Sequence, residues 1–488
     1  MIRLPEIAAL SAWLDQNLVQ NLHLLALVVS GLLIAVSAVQ NLTYTLQLFL
    51  AGYGLARRSL VESEDTLWWY YSDVILPVSL LVPAYNEESC IVESVSSLLR
   101  LRYPLFEVII INDGSTDRTL GRLTEALGLK LSERVYENAL PHAPVRGIYT
   151  SPAHPNLVLL DKENGGKADA LNAGINLARR PLIACLDADS MLEPDSLLRV
   201  VQPFISHPER MVAVGGTVRV INGCTVRKGR IVDVGLPRSL LAQLQIIEYL
   251  RAFLMGRLGW SELKALPLVA GAFAVMRRAA VIEVGGYARD TVGEDFELIM
   301  RLHRLMRDRG EDYEIRFVPE PVCWTEVPSD MCSLARQRIR WQRGALETFF
   351  RHAGMLFKPR YGRIGALSLG HCLIVDVVGP LAEVAGYVLV PLFWVTGLLD
   401  LDFALAYVAL IFVYGIFISI SSLVLEELEL KRFEKTRHLL VLAFVAILEN
   451  FGYRQINNLF RIVGWWQFLR GKKGSWGEMR RAGFTSAR

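Results

Sequence analysis

The sequence has little net charge and few cysteines, and both shortages limit what the protein can be. Of 488 residues only 21% are charged, and the formal net charge is +3. A nucleic-acid-binding protein carries a basic patch, so this balance gives no reason to expect nucleic acid as a partner. The 6 cysteines form no C-x-x-C pair and no metal-ligand spacing. They are interpreted as reduced core residues of a cytosolic protein, not as a disulfide framework or a zinc site.

Apolar residues are abundant: 52% of the chain is hydrophobic and its mean hydropathy is +0.32. A soluble chain of this length is seldom so apolar, so a membrane component is expected. The run Leu24–Tyr53 has no formal charge and is long enough to span a bilayer, whereas a cleaved signal peptide would be shorter and would follow a basic segment. Arg57 and Arg58 follow the run, which places the downstream side in the cytosol. We therefore expect residues 1–58 to form an N-terminal segment with one transmembrane helix.

Short apolar strands alternate with amphipathic helices over the next part of the chain. This alternation predicts an α/β domain with a doubly wound, mostly parallel sheet over residues 75–330. The predicted strands are Val78–Pro83, Glu107–Asn112, Asn156–Leu160, Leu182–Leu186, Val212–Val220 and Ala272–Arg277.

The C-terminal third is again apolar, after an arginine-rich stretch. Residues 331–376 are amphipathic and basic, which is typical of helices at a membrane interface, although a surface helix has the same composition. Two spans are predicted at Val378–Leu399 and Phe403–Leu425. The stretch Leu439–Leu469 contains polar residues and is predicted to be two half-helices broken near Gly452. Residues 377–470 then form a transmembrane and interface region.

One strand end carries the pattern around which the other motifs are organised. The buried strand Leu182–Leu186 stops at Asp187-Ala188-Asp189, and alternate side chains at a strand end point the same way. Two carboxylates at the carboxyl edge of an α/β sheet suit a hard cation, Mg²⁺ or Mn²⁺. An isolated D-x-D is more often a turn with a helix cap, so the neighbouring motifs must decide between the two.

Polar loops follow the neighbouring strands at the same edge. The first strand is followed by Tyr85 and Glu87, and the second ends in Asp113-Gly114-Ser115-Thr116-Asp117. Tyr85 offers a flat face for a base and Asp113 an acceptor for an imide N–H. The segment Asn164–Ala168 contains G-G-K and opens a helix, where backbone N–H groups and Lys167 can meet a diphosphate. Turn chemistry alone also explains the Asp-Gly-Ser-Thr-Asp stretch.

Two later motifs complete the set. Gly293-Glu294-Asp295 begins a helix, and its carboxylate is a candidate general base for an acceptor hydroxyl. The stretch Gln337–Trp341 reads Q-R-I-R-W, in which Arg340 can pair with a leaving pyrophosphate and Trp341 can stack on a sugar ring.

Together and in this order, D-G-S-x-D, G-G-K-A, D-x-D, E-D and Q-x-x-R-W resemble the inverting family 2 glycosyltransferases of the processive, membrane-embedded kind. That group contains the cellulose, hyaluronan, chitin and poly-β-1,6-N-acetylglucosamine synthases. The resemblance covers Val78 to about Phe350 and implies a cytosolic domain of the GT-A type, a UDP-activated sugar, Mg²⁺ or Mn²⁺, and a growing β-linked polysaccharide. It also implies the bacterial inner membrane, the lipid bilayer as a partner, and room for accessory membrane or periplasmic subunits.

The resemblance also implies a role for each matching residue. The catalytic pair is Asp295 with Glu294. The donor is held by Tyr85, Glu87, Asp113, Lys167, Asp187 and Arg340, with Arg480 from a cytosolic gating tail at 471–488, whose W-G-x-x-R resembles a segment that closes over the donor. The acceptor is held by Gln337, Trp341 and Gly271, and the metal by Asp189 and Asp187. The third motif is G-E-D where cellulose synthases have T-E-D, which weakens cellulose as the product.

Two other functions stay open at this point: a non-processive transferase that adds one sugar to a lipid or protein, and a degenerate synthase that serves as a receptor. A further prediction concerns Asp376 and Glu383, which lie two helical turns apart in the apolar stretch Ile374–Val395. Carboxylates at membrane depth usually face a protein interior or a watery path, so this face is predicted to line the secretion route. Interface exposure of Asp376 and simple pairing of Glu383 with an arginine are the alternatives.

Overall fold

The computed structural model of the chain describes residues 4–57, 74–227, 229–430 and 435–471. Of the predicted gating tail, only Gly471 is among these residues, and Arg480 lies outside them.

Twelve strands are present in the described residues, and their bounds are as follows: β1 Val78–Ala84, β2 Phe106–Asp113, β3 Lys130–Leu131, β4 Val145–Thr150, β5 Leu157–Lys162, β6 Leu182–Leu186, β7 Met191–Leu192, β8 Met211–Val220, β9 Thr225–Arg227, β10 Arg230–Asp233, β11 Phe273–Arg277 and β12 Glu314–Thr325. Ten of them form one sheet in the order β3-β4-β5-β2-β1-β6-β11-β8-β12-β7, and β9 and β10 pair separately.

The centre of the sheet is parallel, as predicted. Strands β5, β2, β1 and β6 run in the same direction, and β11 lies antiparallel between β6 and β8. The strands β5 and β6 are buried along their whole length, which agrees with their continuous apolar runs. Because the four central strands are parallel, their carboxyl ends meet at one edge, where open α/β sheets bind ligands.

Helices pack on the sheet and make up most of the described residues before β1 and after β12. Their bounds in the described residues are α1 Leu4–Ala56, α2 Ile91–Leu98, α3 Thr119–Leu127, α4 Lys167–Leu177, α5 Ser196–Ser206, α6 Leu240–Leu250, α7 Leu258–Glu262, α8 Arg278–Glu283, α9 Glu294–Arg309, α10 Met331–His352, α11 Leu369–His371, α12 Gly379–Val395, α13 Leu401–Leu430, α14 Thr436–Leu448 and α15 Tyr453–Leu469. A π-helical segment, Arg251–Arg257, joins α6 to α7, and two more, Ile364–Ser368 and Cys372–Val378, flank α11.

Within the described residues, three helical stretches are long and apolar enough to cross a membrane, and they make the chain a membrane protein. They are Asn17–Ala56, Ile364–Val395 and Leu401–Leu428. Large apolar side chains cover their outer surfaces, for example Leu24, Phe49 and Val413, each more than half exposed. Such a surface is stable against lipid tails and unfavourable against water.

The predicted break near Gly452 is present. Helices α14 and α15 are bent by 56° at a short interruption, and Gly452 there has a φ of 94°. Glycine adopts this left-handed backbone without the steric cost that a side chain would add. The length and composition of this helix pair fit either one broken membrane span or a re-entrant hairpin.

The first C-terminal span begins earlier than the sequence predicted. Its helix starts at Ile364, so residues 364–376, which were assigned to interface helices, belong to the candidate span. A lone carboxylate at membrane depth is costly. In the structure Arg461 of α15 lies 3.0 Å from Asp376 and compensates its charge.

Candidate active site

The carboxyl end of β6 brings Lys167 and Asp187 together. Asp187 follows the strand directly, and the backbone N–H of Ser190 donates to its carbonyl at 3.0 Å, which closes a turn. Asp187 stays 29% exposed, whereas Asp189 is buried. Lys167, the first residue of α4, forms an ion pair with the Asp187 carboxylate. One open carboxylate, one buried carboxylate and one lysine therefore share this sheet edge.

Glu294, the first residue of α9, adds a third carboxylate to the cluster. Its Oε1 lies 3.8 Å from Lys167 Nζ. Burial raises the pKa of Glu294, the Asp295 charge raises it further, and Lys167 lowers it in part. Burial also disfavours the charged form of Lys167, but Asp187 and Glu294 outweigh it and raise the pKa of the ammonium group. Lys167 is therefore held as a cation in a partly dry site.

Asp295 lies at the same helix start, beside a residue that has no side chain. Its Oδ1 accepts a hydrogen bond from the backbone N–H of Phe296 at 2.8 Å, and a Cβ added to Gly271 would lie 2.9 Å from Oδ2. Asp295 forms no ion pair with any residue that the structure describes. Gly271 thus leaves room for the carboxylate of Asp295, the candidate general base.

The start of α9 is fixed by α10. A Cβ on Gly293 would lie 2.8 Å from the Cα of Gly344, so only a pair of glycines allows this approach. Glu347 of α10 accepts hydrogen bonds from Thr291 Oγ1 at 2.8 Å and from the backbone N–H of Val292 at 3.0 Å. These contacts set the position of Glu294 and Asp295 relative to the motif Gln337–Trp341.

The Q-R-I-R-W motif lies on α10 with its side chains in different environments. Gln337 is buried, and Trp341 is 44% exposed, with the Arg338 guanidinium 4.4 Å from its ring centroid. The charge of Arg340 acts on Glu294 and lowers its pKa in part. The exposed indole is available to stack on a ring, and Arg340 lies on the side of the carboxylate cluster.

Asp113, predicted to hold a uracil ring, is tied to the G-G-K loop. Its Oδ1 accepts from Lys162 Nζ at 2.6 Å and from the Gly165 N–H at 3.0 Å, and its Oδ2 accepts from the Gly166 N–H at 2.8 Å. A carboxylate has about four acceptor positions, so one position on Oδ2 is left for a further donor. Contact with uracil stays a prediction.

Lys162 is a site residue that the sequence reasoning missed. It is fully buried and lies 2.6 Å from both Asp113 and Asp169, and Asp169 also pairs with Arg289 at 3.0 Å. The available signal was Asp161-Lys162 at the end of an apolar run and followed by E-N-G-G-K, since a lysine inside a sheet must be paired.

The first two loops of the edge are joined to each other. Asn86 has a φ of 56°, and its Oδ1 accepts from the Thr116 N–H at 2.8 Å. The backbone N–H of Glu87 donates to Thr119 Oγ1 at 2.9 Å. Tyr85 is 38% exposed beside them. The loops therefore hold Tyr85 at the edge, where the sequence predicted a contact with a base.

The segments Arg219–Asn222 and Gln245–Tyr249 contribute contacts between the α/β domain and the C-terminal helices. Arg219 pairs with the buried Glu426 of α13. Glu248 accepts from Arg338 at 2.7 Å and from the Tyr453 hydroxyl at 2.8 Å. Arg251 also forms a bidentate salt bridge with Glu449, in which Nη2 lies 2.7 Å from Oε1 and Nη1 lies 3.1 Å from Oε2. Arg219 of β8 and Arg251 of the π-helical segment thus contact the C-terminal helices directly, and Glu248 of α6 links α10 to α15.

The carboxylates predicted to line a secretion route face α15. Asp376 pairs with Arg461, and Glu383 accepts from Asn458 and, at 3.1 Å, from the Tyr387 hydroxyl. Glu383 therefore meets an amide and a phenol where an arginine was the alternative. Their part in secretion stays a prediction.

The chemistry of the site fits one divalent cation shared with a substrate. Within the described residues no group of three or more His, Cys, Asp or Glu side chains could hold a metal by itself. Asp187 and Asp189 supply two carboxylates, and Mg²⁺ is commonly held by one or two carboxylates plus substrate phosphates. The donor set fits a metal that arrives with a diphosphate.

Two family models match the chain. The model described as "Glycosyl transferase family group 2" covers residues 182–420, and "Glycosyl transferase family 2" covers residues 79–138. Together they include β1, the D-x-D, the E-D and the Q-x-x-R-W segments.

Curated relatives match the same part of the chain. A poly-beta-1,6-N-acetyl-D-glucosamine synthase of Staphylococcus epidermidis is 31% identical over 275 residues, which is 56% of this chain and 56% of the relative. The protein of that name from Staphylococcus aureus strain COL is 31% identical over 282 residues, 57% of each chain. The chain thus matches little more than half the length of these relatives.

One solved structure has a similar fold. A mannosyltransferase from Pyrobaculum calidifontis, in complex with GDP-Man and Mn²⁺, superimposes with a TM-score of 0.53 at 19% identity, covering 90% of this chain and 99% of that chain. The likeness establishes the GT-A type of fold.

Proposed function

The chain belongs to the family 2 glycosyltransferases, and from this premise we propose that it is an inverting, processive synthase. It polymerises a UDP-activated sugar, UDP-GlcNAc or UDP-Glc, into an extracellular polysaccharide and extrudes it across the inner membrane. One observation carries the proposal. The cluster of Lys167, Asp187, Glu294 and Asp295 lies at the sheet edge, and the adjacent helix α10 is linked to α15 by a hydrogen bond from Arg461 to Gln342.

The donor occupies the edge formed by β1, β2 and β6. Tyr85 stacks on the uracil, Asp113 accepts from its imide N–H, and Glu87 supports the loop between them. The diphosphate lies near the N-terminus of α4, where backbone N–H groups and Lys167 meet its charge. Arg340 approaches from α10, and Arg480 of the tail covers the donor during turnover.

Asp187 and Asp189 hold a divalent cation, Mg²⁺ or Mn²⁺, together with the donor phosphates. When bound, the cation neutralises negative charge on the leaving diphosphate. The relative of known structure contains Mn²⁺, which supports the same metal class here.

Transfer is a single displacement. Asp295 takes the proton of an acceptor hydroxyl, and the resulting oxygen attacks the anomeric carbon from the face opposite UDP, so that the C–O bond to the diphosphate breaks. Lys167 and Arg340 stabilise the negative charge that develops there. Glu294 fixes Lys167 from the other side. The acceptor is held by Gln337, by stacking on Trp341, and by the space beside Gly271.

The test is a donor panel with the purified full chain in lipid nanodiscs. UDP-GlcNAc and UDP-Glc are supplied with Mg²⁺ or Mn²⁺, and UDP release and product length are measured. We expect a long product from one of the two donors, sensitive to a linkage-specific glycanase, and its loss in excess EDTA. A single sugar on a lipid or protein would identify a non-processive transferase, and no turnover with any donor would favour a receptor.

A further inference from the structure

Trp341, the residue proposed to stack on the acceptor, has a cation on its ring. Arg338 lies one helical turn earlier on α10, and its guanidinium Cζ is over the indole, 4.4 Å from the ring centroid. Side chains one turn apart on a helix are neighbours, and a guanidinium on an aromatic face is an attractive contact. Trp341 nevertheless remains 44% exposed. Arg338 thus covers one face of the ring and leaves part of it open.

Glu248 of α6 determines where the Arg338 guanidinium lies. Its Oε2 accepts from Arg338 Nη2 at 2.7 Å and from the Tyr453 hydroxyl at 2.8 Å. Burial disfavours the charged form of Arg338, but nearby negative charge, chiefly that of Glu248, outweighs burial and raises the pKa of the guanidinium. Because the guanidinium is a rigid plane, a carboxylate that binds one end of it also orients the surface that meets Trp341.

The backbone of this turn of α10 is held by other contacts. Gln342, the next residue, donates from Nε2 to the carbonyl oxygen of Asp376 at 2.6 Å. Its Oε1 accepts from Arg461 Nε, also at 2.6 Å. Loss of the Glu248 carboxylate would therefore release the stacked side chains and leave the helix itself in place.

We propose that Glu248 is a positioning residue for the acceptor: it holds the Arg338 guanidinium on one face of Trp341, so that the other face is available to the sugar. This inference rests on the proposed function, in which Trp341 stacks on the acceptor. A partly exposed indole can occupy several rotamers, and a cation fixed on one face keeps the ring in one of them. Pre-organisation of a binding group raises affinity without any new contact to the ligand.

The first test is the acceptor KM of Glu248→Gln, measured with the full chain in nanodiscs and β-linked tetrasaccharides of glucose and of N-acetylglucosamine. Glutamine still accepts hydrogen bonds but carries no charge to hold the guanidinium. We expect the acceptor KM to rise about 3- to 30-fold, the size of a cation–π contact, with little change in kcat or in the donor KM. Glu283→Gln, which removes the charge of an exposed ion pair with Arg309, is the matched control with the wild-type KM.

A charge-free variant separates positioning from stability. Glu248→Gln alone leaves the buried Arg338 cation uncompensated, which is destabilising, whereas Glu248→Gln/Arg338→Met removes both charges and keeps an acceptor for Tyr453. We expect this protein to melt close to the wild-type temperature and still to have the raised acceptor KM. If the pair serves stability alone, the acceptor KM returns to the wild-type value, and the inference is overturned.

A double-mutant cycle shows whether Glu248 acts through the indole. In a Trp341→Ala background, Glu248→Gln should produce no further rise in the acceptor KM, because the ring that it positions is gone. A rise of the same size with and without the indole would contradict the proposal.

A donor-free measurement separates this inference from the proposed function. The chain is labelled with fluorotryptophan, and the fluorine NMR signal of Trp341 is the one missing from Trp341→Phe. Titration with the tetrasaccharides should shift this signal in the wild type, and Glu248→Gln should need a concentration higher by the factor found for KM. That result supports the positioning role even if no donor is turned over. Equal titration curves for both proteins, or no shift in the wild type, overturn it.

Discussion

At the residue scale, Lys162 provides a fully buried charge beside the site. Its ammonium group is fully buried and bridges Asp113 and Asp169, and Asp113 in turn holds the N–H groups of Gly165 and Gly166. One lysine thus links the end of β2, the end of β5 and the loop that starts α4. The part of the site predicted to bind the nucleotide therefore depends on a fully buried charge.

Replacement of Lys162 by methionine should destabilise the protein more than any change at the surface. Met keeps the volume but leaves the buried Asp113 without a cationic partner and Asp169 with Arg289 alone, at a cost of about 3–5 kcal/mol. Thermal unfolding followed by intrinsic fluorescence measures the loss. The control Lys130→Met changes an exposed lysine of β3 and should stay within about 0.5 kcal/mol. An equal melting temperature for both variants would show that Asp113 and Asp169 are stable without the bridge.

Asp295→Asn is the direct test of the base. The amide keeps the shape beside Gly271 but takes up no proton, so turnover should fall by roughly 10²–10⁴-fold while UDP binding is largely retained. Radiolabelled donor transfer and UDP calorimetry measure the two quantities. Asp312→Asn, at a 73% exposed carboxylate, is the control. Polymerisation near the wild-type rate would assign Asp295 a structural role.

Two elements, α9 and α10, meet at a pair of glycines, and this crossing sets the geometry of the acceptor side. Gly293 and Gly344 approach so closely that backbone atoms occupy the space of a side chain. The hydrogen bonds of Glu347 to Thr291 and Val292 lie at the same crossing. The distance between Asp295 and Trp341 is therefore determined by a contact that contains neither.

Gly344→Ala should lower turnover without preventing folding. Its Cβ would lie 2.8 Å from the Gly293 Cα, a backbone atom that moves only with the whole helix start. Because a misplacement of about 1 Å can cost on the order of 100-fold in rate, we expect kcat to fall by one to two orders of magnitude. Gly121→Ala, where nothing lies within 4 Å of the new Cβ, is the matched control. Equal kcat for both variants would show that the crossing tolerates a methyl group.

The elements themselves were largely predictable, and their contacts were less so. The predicted strand Leu182–Leu186 has the observed bounds because a proline and an aspartate delimit it, and the break near Gly452 follows from polar residues in an apolar run. The start at Ile364 and the buried Lys162 were missed, since each depends on a charge supplied by a distant segment. Local patterns carry no information about such partners.

At the scale of the whole molecule, ion pairs join the catalytic domain to the membrane region. Arg219 meets Glu426, and Arg251 meets Glu449, both carboxylates being fully buried in C-terminal helices. Truncation of either partner would leave an uncompensated charge, so these pairs resist separation of the two parts. The site and the helices are held as one unit.

Asp376, in the π-helical segment Cys372–Val378, and Glu383 of α12 provide a test of export. In the variant Asp376→Leu/Glu383→Leu the contacts to Arg461 and Asn458 are lost, and the face becomes apolar. If it lines the secretion route, polymer length and export should fall while single-sugar turnover is nearly kept. Product sizing in proteoliposomes measures this. Glu427→Leu, close to the end of the predicted span, is the control, and unchanged length and export in a well-expressed double variant would place the route elsewhere.

The tail gives the last prediction. Trp476 and Arg480 lie outside the described residues, after a stretch that contains Gly471 and Gly474. If the segment closes over the donor, deletion of Ser475–Arg488 should abolish synthesis and leave membrane insertion intact. A membrane-surface role alone would leave synthesis in place. A cysteine at position 475 that reacts only from outside the cell would contradict both the gating role and the cytosolic tail.

The long-range ion pairs have a consequence for how the protein is made. Glu426 follows Arg219 by 207 residues, and Glu449 follows Arg251 by 198. At a ribosomal speed of about 5–20 residues per second, roughly 10–40 s pass between the synthesis of each arginine and that of its partner. During this interval Arg219 and Arg251 have been synthesised, but the carboxylates that pair with them have not. The final packing of the catalytic domain therefore waits for insertion of the C-terminal helices, and translation order sets the order of assembly.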